Sequence, residues 1–265
     1  MKRNRALIMG YHGIGAMSRR HDPIDLYVRP ELVRVQVRRM LERGYEFVSM
    51  REFAARLRAE GGPPPGVAAL TFDDGTVDHL TVLPQVLEDL GVPGTVFVCP
   101  GLAGQLYPWA APEAGVRFMT EPEIRRLGEH PLIEVGAHTN DHFELDDADA
   151  ETALDQMVAC KATLESLLGD EVLSFCYPRC HYSEAARDVA PVAGFTSAVT
   201  CGFRGSWEPY ELKREVMHGT DGALVSALKM RGLYLRLGLS LPAKMLRGTA
   251  TVIDDLRIPQ RTPWG

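Results

Sequence analysis

Val67-Ala68-Ala69-Leu70-Thr71-Phe72-Asp73-Asp74-Gly75 is the stretch on which the reading of this chain turns. Its first four residues are apolar and read as a short buried strand. Two adjacent carboxylates follow at the strand's exit, and Gly75 lets the backbone turn away. In α/β folds the strand exits are where active sites sit. Neighbouring carboxylates raise one another's pKa unless a cation intervenes. A metal on one and a proton-transfer role for the other resolves that conflict. Asp-Gly is also a common turn signal, so the stretch alone fits an ordinary turn as well as it fits a site.

The rest of the chain supplies the context. It has 265 residues, 45% hydrophobic and 24% charged, which suits one α/β domain. A formal net charge of -6 argues against general nucleic-acid binding. Strand-like and helix-like segments alternate. Strands are expected near Ala6 to Gly10, Tyr45 to Ser49, Val67 to Leu70, Gly94 to Val98, Leu132 to Gly136, Val172 to Tyr177, Phe195 to Thr200 and Leu212 to Met217. Helices are expected from Pro30 to Gly44, where Leu32, Val33, Val37, Met40 and Leu41 recur at helical spacing, and over Met50 to Ala59. Further helices are expected over Val82 to Leu90, Glu121 to Leu127 and Ala148 to Leu168. Residues 100 to 120 form a long irregular loop, a length often associated with function.

The start, Met1-Lys2-Arg3-Asn4-Arg5 then Ala6 to Gly10, is basic and then apolar like a secretory signal. The apolar part is too short and meets Tyr11-His12-Gly13 with no small-residue cleavage site. A cytoplasmic location is therefore the expectation, with Cys99, Cys160, Cys176, Cys180 and Cys201 as reduced thiols. No apolar run of about 18 residues is present to span a membrane. From Gly222 to Val252 the chain carries Lys229, Arg231, Arg236, Lys244 and Arg247 and no acid, amid leucines. That tail reads either as a helix packed on the domain with solvated cations, or as an element lying on the inner membrane face.

A second strand, Leu132 to Gly136, runs into Ala137-His138-Thr139-Asn140-Asp141-His142. Histidines at i and i+4 share a face if the segment makes a helical turn, a spacing that suits two imidazoles on one metal. An Asp pair at one strand exit and a His pair at another is a far stronger signal than either alone. Asp with two His is a ligand set that leaves coordination positions open for water and substrate.

These motifs resemble the polysaccharide deacetylase, or NodB-homology, carbohydrate esterases. The likeness lies in Thr71-Phe72-Asp73-Asp74-Gly75 and His138-Thr139-Asn140-Asp141-His142. It continues, more loosely, through Phe175-Cys176-Tyr177-Pro178-Arg179 and Gly194-Phe195-Thr196-Ser197-Ala198, and spans about residues 5 to 216. It implies a distorted (β/α)7 barrel over residues 1–220, with 221–265 as a C-terminal helical extension. It implies Asp73 as general base and Asp74, His138 and His142 as ligands of a divalent metal. Zinc is the expected ion, with cobalt, nickel or iron as alternatives. The backbone N–H of Arg179 would help hold an oxyanion.

Many members take their proton donor from a Leu-x-His motif near the C-terminus, and none stands in the last third here. Tyr11-His12 after the first strand looks instead like the permuted arrangement of the biofilm poly-N-acetylglucosamine deacetylases, which makes His12 the expected donor and His218 its competitor. The Arg usual before the third motif's Pro is Cys176 here, and Arg214 is the substitute for orienting the base. Tyr177, Pro178, Arg214, His218 and Trp109 are the expected substrate-side residues, with Tyr107 and Trp207 as further aromatics able to stack on a sugar or to pack.

The implied activity is removal of an N-acetyl group from an amino-sugar substrate, such as an intracellular glycan precursor, a lipid-linked sugar or a glycoside. Deformylation or cyclic-amide hydrolysis on the same barrel is the alternative, and a non-catalytic carbohydrate-binding protein the third reading. The oligomeric state is not legible.

Overall fold

The computed structural model describes residues 5–202 and 205–234. Among them are eight strands: β1 Leu7–Tyr11, β2 Glu46–Val48, β3 Val67–Phe72, β4 Gly94–Val98, β5 Ile133–Ala137, β6 Ser174–Cys176, β7 Ser197–Cys201 and β8 Leu212–Val216. The helices are α1 Pro30–Leu41, α2 Met50–Glu60, α3 Asp78–Thr81, α4 Leu83–Leu90, α5 Glu121–Gly128, α6 Ala150–Leu168, α7 Glu184–Val189 and α8 Ala223–Lys229. Every strand pairing is parallel. β1 pairs with β3 on one side and β8 on the other, so seven strands close a ring. The short β2 runs only along the first half of β3, from Glu46↔Val67 to Val48↔Ala69, and β4 takes the second half. That sharing is what distorts the (β/α)7 barrel.

Strand alternation sorts the apolar residues into two layers. Leu7, Met9, Tyr11, Ala68, Leu70, Phe72, Val96 and Val98 face outward into the layer beneath the helices. Ile8, Ala69, Phe97, Cys176, Val199 and Leu212 face inward. The N-terminal end of the barrel is plugged by α2, whose Met50, Phe53 and Leu57 join the inner cluster. Its first backbone N–H groups are orphans that need acceptors. Met50 N–H donates to Thr95 Oγ1 at 3.0 Å and Arg51 N–H to Glu134 Oε2 at 2.9 Å. With that end closed, the open C-terminal strand ends are left for the site.

Most expected elements are present with ends shifted by one to three residues. The sixth and seventh strands start later than the apolar runs suggest, at Ser174 and Ser197. The short helices α3, α7 and α8 carry too few turns for a periodic signal. Trp207 stacks on Phe53 at 6.0 Å, at the plugged end away from the strand exits. The expected C-terminal extension is described only as far as residue 234. There Lys229 is not a solvated cation: it is buried, and its Nζ meets both Asp221 carboxylate oxygens at 2.8 and 2.7 Å. Arg236, Lys244 and Arg247 lie outside the described residues. Among the described residues no helix is long and apolar enough to cross a membrane.

Candidate active site

The C-terminal ends of β1, β3, β5, β6 and β8 bring the expected site residues to one place. Asp73 and Asp74 leave β3 in a turn that the backbone tightly constrains. Asp74 has φ 78 and Gly75 φ 80, and a Cβ on Gly75 would come within 3.1 Å of the Val98 side chain. Only glycine meets both demands there. Left-handed backbone at non-glycine residues costs of order 1–3 kcal/mol and clusters at functional sites. Six described non-glycine residues adopt it: Asp74, Thr139, His142, Arg179 and Cys180 at strand exits, and Asp25, whose carbonyl oxygen accepts from His218 Nδ1 at 3.1 Å.

His138 and His142 converge without a helical turn. The segment is a bend with φ 57 at Thr139 and φ 60 at His142. Gly101 N–H fastens it by donating to the Asn140 carbonyl at 2.7 Å. The two Nε2 atoms lie 3.4 and 3.5 Å from Asp74 Oδ1. His138 Nδ1 meets the Cys176 carbonyl oxygen at 2.7 Å. A carbonyl only accepts, so Nδ1 carries the hydrogen and Nε2 presents its lone pair inward. Tyr107 donates its hydroxyl to the other Asp74 oxygen. Asp74 Oδ1 is buried with no hydrogen-bond partner. A buried orphan oxygen facing two imidazole nitrogens, one of them in a locked tautomer, is what a divalent cation completes. Asp73, His138 and Cys176 also lie within reach of one another. The Arg214 guanidinium occupies that second corner, 3.1 Å from Cys176 Sγ, and its charge disfavours a cation there.

Asp73 is gripped rather than open. Arg214, at the middle of β8 and 1% exposed, donates Nη1–H to Asp73 Oδ1 and Nη2–H to Oδ2, both at 2.7 Å. It also donates to Thr71 Oγ1 and to the Thr200 carbonyl. Burial pushes the Asp73 carboxyl up, but Arg214, with His12 and His138, outweighs it and holds the group below its ordinary value. His12 leaves β1 with Nε2 4.0 Å from Asp73 Oδ2. Burial pulls its pKa down, and the charges of Asp74 and Asp73 oppose that without cancelling it.

The remaining expected residues divide. Trp109 packs on His142 with ring centroids 4.4 Å apart, beside the Asp74, His138 and His142 cluster. His218 stands past the end of β8 with its backbone N–H on Asp221 Oδ2 at 3.0 Å. Arg179 has φ 51, and its side chain turns to Glu144 at 3.0 Å. Pro178 is buried ahead of it. Tyr177 belongs to the outer core: it is fully buried, stacked on Tyr182, with its hydroxyl donating to the Tyr210 carbonyl at 2.9 Å. Tyr107 is not a stacking platform but the buried partner of Asp74. The expectation of five reduced thiols is also corrected. Cys180 and Cys201 form a disulfide with Cα atoms 5.3 Å apart, leaving Cys99, Cys160 and Cys176 free and buried. Neighbouring β6 and β7 bring the two together, a proximity that a separation of 21 residues does not advertise.

Known proteins agree with this picture. The family model described as polysaccharide deacetylase matches residues 60–198. The putative polysaccharide deacetylase YxkH of Bacillus subtilis is 22% identical over 193 residues, covering 73% of this chain, which in turn spans 63% of that relative's length. Among solved structures, the Streptococcus pyogenes deacetylase PplD in complex with acetate superposes with a TM-score of 0.72 at 22% identity, covering 86% of this chain and 99% of that one. IcaB from Ammonifex degensii gives 0.70 at 19% identity, with coverages of 86% and 97%. The matched segment is more than half of the chain and contains both the Asp73-Asp74 turn and the His138–His142 bend, so the chain belongs to the polysaccharide deacetylase family.

Proposed function

We propose that this protein is a divalent-metal-dependent hydrolase that removes the N-acetyl group from an amino-sugar substrate. Asp74, His138 and His142 hold the metal, Asp73 is the general base and His12 the proton donor. The observation that carries the reading is the pair of adjacent carboxylates with divided partners. Asp74 faces two imidazoles, while Asp73 is bound bidentately by Arg214 and lies 4.0 Å from His12. A metal held at the first group supplies Lewis acidity and lowers the pKa of bound water towards ~7.

The chain's own groups do the rest. Arg214 keeps Asp73 ionised, so that it can take a proton from the attacking water. His12, across from Asp73, gives a proton to the departing amine nitrogen, which cannot leave as an anion. The left-handed turn at Arg179 presents its N–H as a donor to the developing oxyanion. Trp109, against His142, supports an aromatic wall for a sugar face. Zinc is the ion this nitrogen and oxygen set suits best, with cobalt, nickel and iron as alternatives. The streptococcal neighbour was solved in complex with acetate, which supports an acetyl rather than a formyl group. The sugar's carrier and membrane contact through the tail belong to the same proposal; the Cys180–Cys201 disulfide counts against the cytoplasmic location expected from the sequence. Metal-loaded and chelator-stripped enzyme, assayed for acetate release on N-acetylhexosamine oligomers and precursors, tests it. Acetate that appears only with metal supports the reading. Formate release, ring opening without acetate, or undiminished turnover after stripping overturns it.

A further inference from the structure

Five residues after Asp73, the same turn of chain reaches across to the segment that carries His12. His79, wholly buried on α3, places Nε2 2.8 Å from the His12 carbonyl oxygen. The carbonyl only accepts, so Nε2–H donates. Asp78, its neighbour, accepts Ile14 N–H on Oδ2 at 2.7 Å and the Tyr27 hydroxyl on Oδ1 at 3.2 Å. The residue between, Gly13, lies under the Tyr27 ring, where a Cβ would fall 2.3 Å from ring carbons. Its carbonyl accepts Val28 N–H at 3.0 Å. The backbone on both sides of Gly13 is thus pinned, and two of the pins come from adjacent residues of α3.

We propose that Asp78 and His79 are positioning residues for proton donation by His12. They act by bracing the His12 carbonyl and the Ile14 amide against the turn that also carries Asp73. The inference rests on the reading of His12 as donor. One short segment, Asp73 to His79, then carries the base and sets the backbone from which the donor reaches it. Neither group touches the reacting atoms. Displacing a reacting group by about 1 Å can cost on the order of 10²-fold in rate, which gives such a brace its value.

The test separates bracing from general structural damage by leaving group. A 4-nitrophenyl acetate releases a stable phenolate and needs no proton donor, whereas an N-acetylglucosamine tetramer must have its amine protonated. His79→Leu removes the donated hydrogen bond, and His79→Gln retains an N–H able to make it. The amide-to-ester rate ratio is expected to fall about 10-fold or more in His79→Leu and to recover in His79→Gln. His12→Ala should lower the ratio by about 10²–10⁴, and adding His79→Leu to it should lower it no further. Multiplying losses, or a ratio unchanged in His79→Leu, overturns the brace. A ratio unchanged in His12→Ala, or a wild type that cleaves only the ester, overturns the donor reading instead. A readout free of substrate completes the test. The Ile14 amide, held by Asp78, should exchange slowly with solvent deuterium in the wild type and faster in Asp78→Ala; equal exchange overturns the proposal.

Discussion

Arg214 and Asp73 form a two-pronged ion pair inside the barrel, both contacts at 2.7 Å and both residues almost fully buried. Removing one partner of such a pair leaves an uncompensated buried charge, at about 3–5 kcal/mol. In Arg214→Met, burial acts on Asp73 unopposed by the guanidinium, and the carboxyl shifts towards its neutral form. Turnover should fall by at least about 10²-fold, the usual worth of a positioned base. Arg214→Lys keeps the charge but loses the fork, and should fall between that variant and wild type. Combining Arg214→Met with Asp73→Asn should recover thermal stability and no activity. Melting curves beside rates make the comparison, and full activity in Arg214→Met removes the role.

Tyr107 holds one oxygen of Asp74 and leaves the other to face His138 and His142. Groups that orient a metal ligand typically contribute 10- to 100-fold in metal affinity. Tyr107→Phe keeps the ring packed against Phe118 and Trp109 and deletes only the hydroxyl. Calorimetric titration of zinc into the stripped protein should show binding weaker by about 10-fold or more, with one site per chain retained. Unchanged affinity makes Tyr107 a packing residue only.

What the sequence revealed of this site followed from strand exits. Asp73-Asp74 and His138 to His142 each follow an apolar strand, so the topology that aligns parallel strands also aligns those residues. Arg214 is legible in the sequence as the substitute for an arginine that orients the base, but its two-pronged contact is not. Its inward direction follows from the two-residue alternation of β8, where Leu212 also faces the interior. Tyr107 was not legible in its role, because an irregular loop of about twenty residues has no periodicity to say where a side chain points. Asp78 and His79 were missed because a four-residue helix leaves no pattern, although two polar residues buried that soon after the Asp pair are a signal once burial is known. The i and i+4 spacing of the His pair, which a helical turn would bring to one face, is met equally by a bend with two left-handed residues.

The Cys180–Cys201 disulfide ties the turn that carries Arg179 to the end of β7, and Thr200 Oγ1 adds a donation to the Cys180 carbonyl at 2.7 Å. Denatured, unreduced protein should titrate three thiols, and five after reduction. Closing a loop of this length restricts the unfolded chain by about 3 kcal/mol, so Cys201→Ser should lower the melting temperature by several degrees under non-reducing conditions. The left-handed pair Arg179-Cys180 loses a tether in that variant, and turnover should fall with it. Five thiols in the unreduced, denatured protein exclude the bond.

Glu123 gives the fold a pH dependence that can be traced to one group. It closes a capping box at the start of α5, accepting Thr120 N–H at 2.8 Å, and accepts from Arg117 Nη1 and Nη2 at 2.6 and 2.8 Å. Arg117, outweighing a small burial effect, with Thr120 lowers its pKa to about 2. The folded value is depressed below the unfolded value of about 4.3, so the stabilisation is fully present above the unfolded value. It is lost as pH falls through that window towards about 2, where the protonated carboxyl no longer favours the folded state. Both side chains are about one-third exposed or less, and solvent screening keeps the contribution modest. Glu123→Gln retains an acceptor for Thr120 and cannot titrate. Its unfolding free energy should therefore be lower than wild type at pH 7, and the gap should close as the pH approaches 2. Denaturant melts at intervals across that range measure it, and a gap that stays constant with pH assigns the acid sensitivity of the fold to other carboxylates.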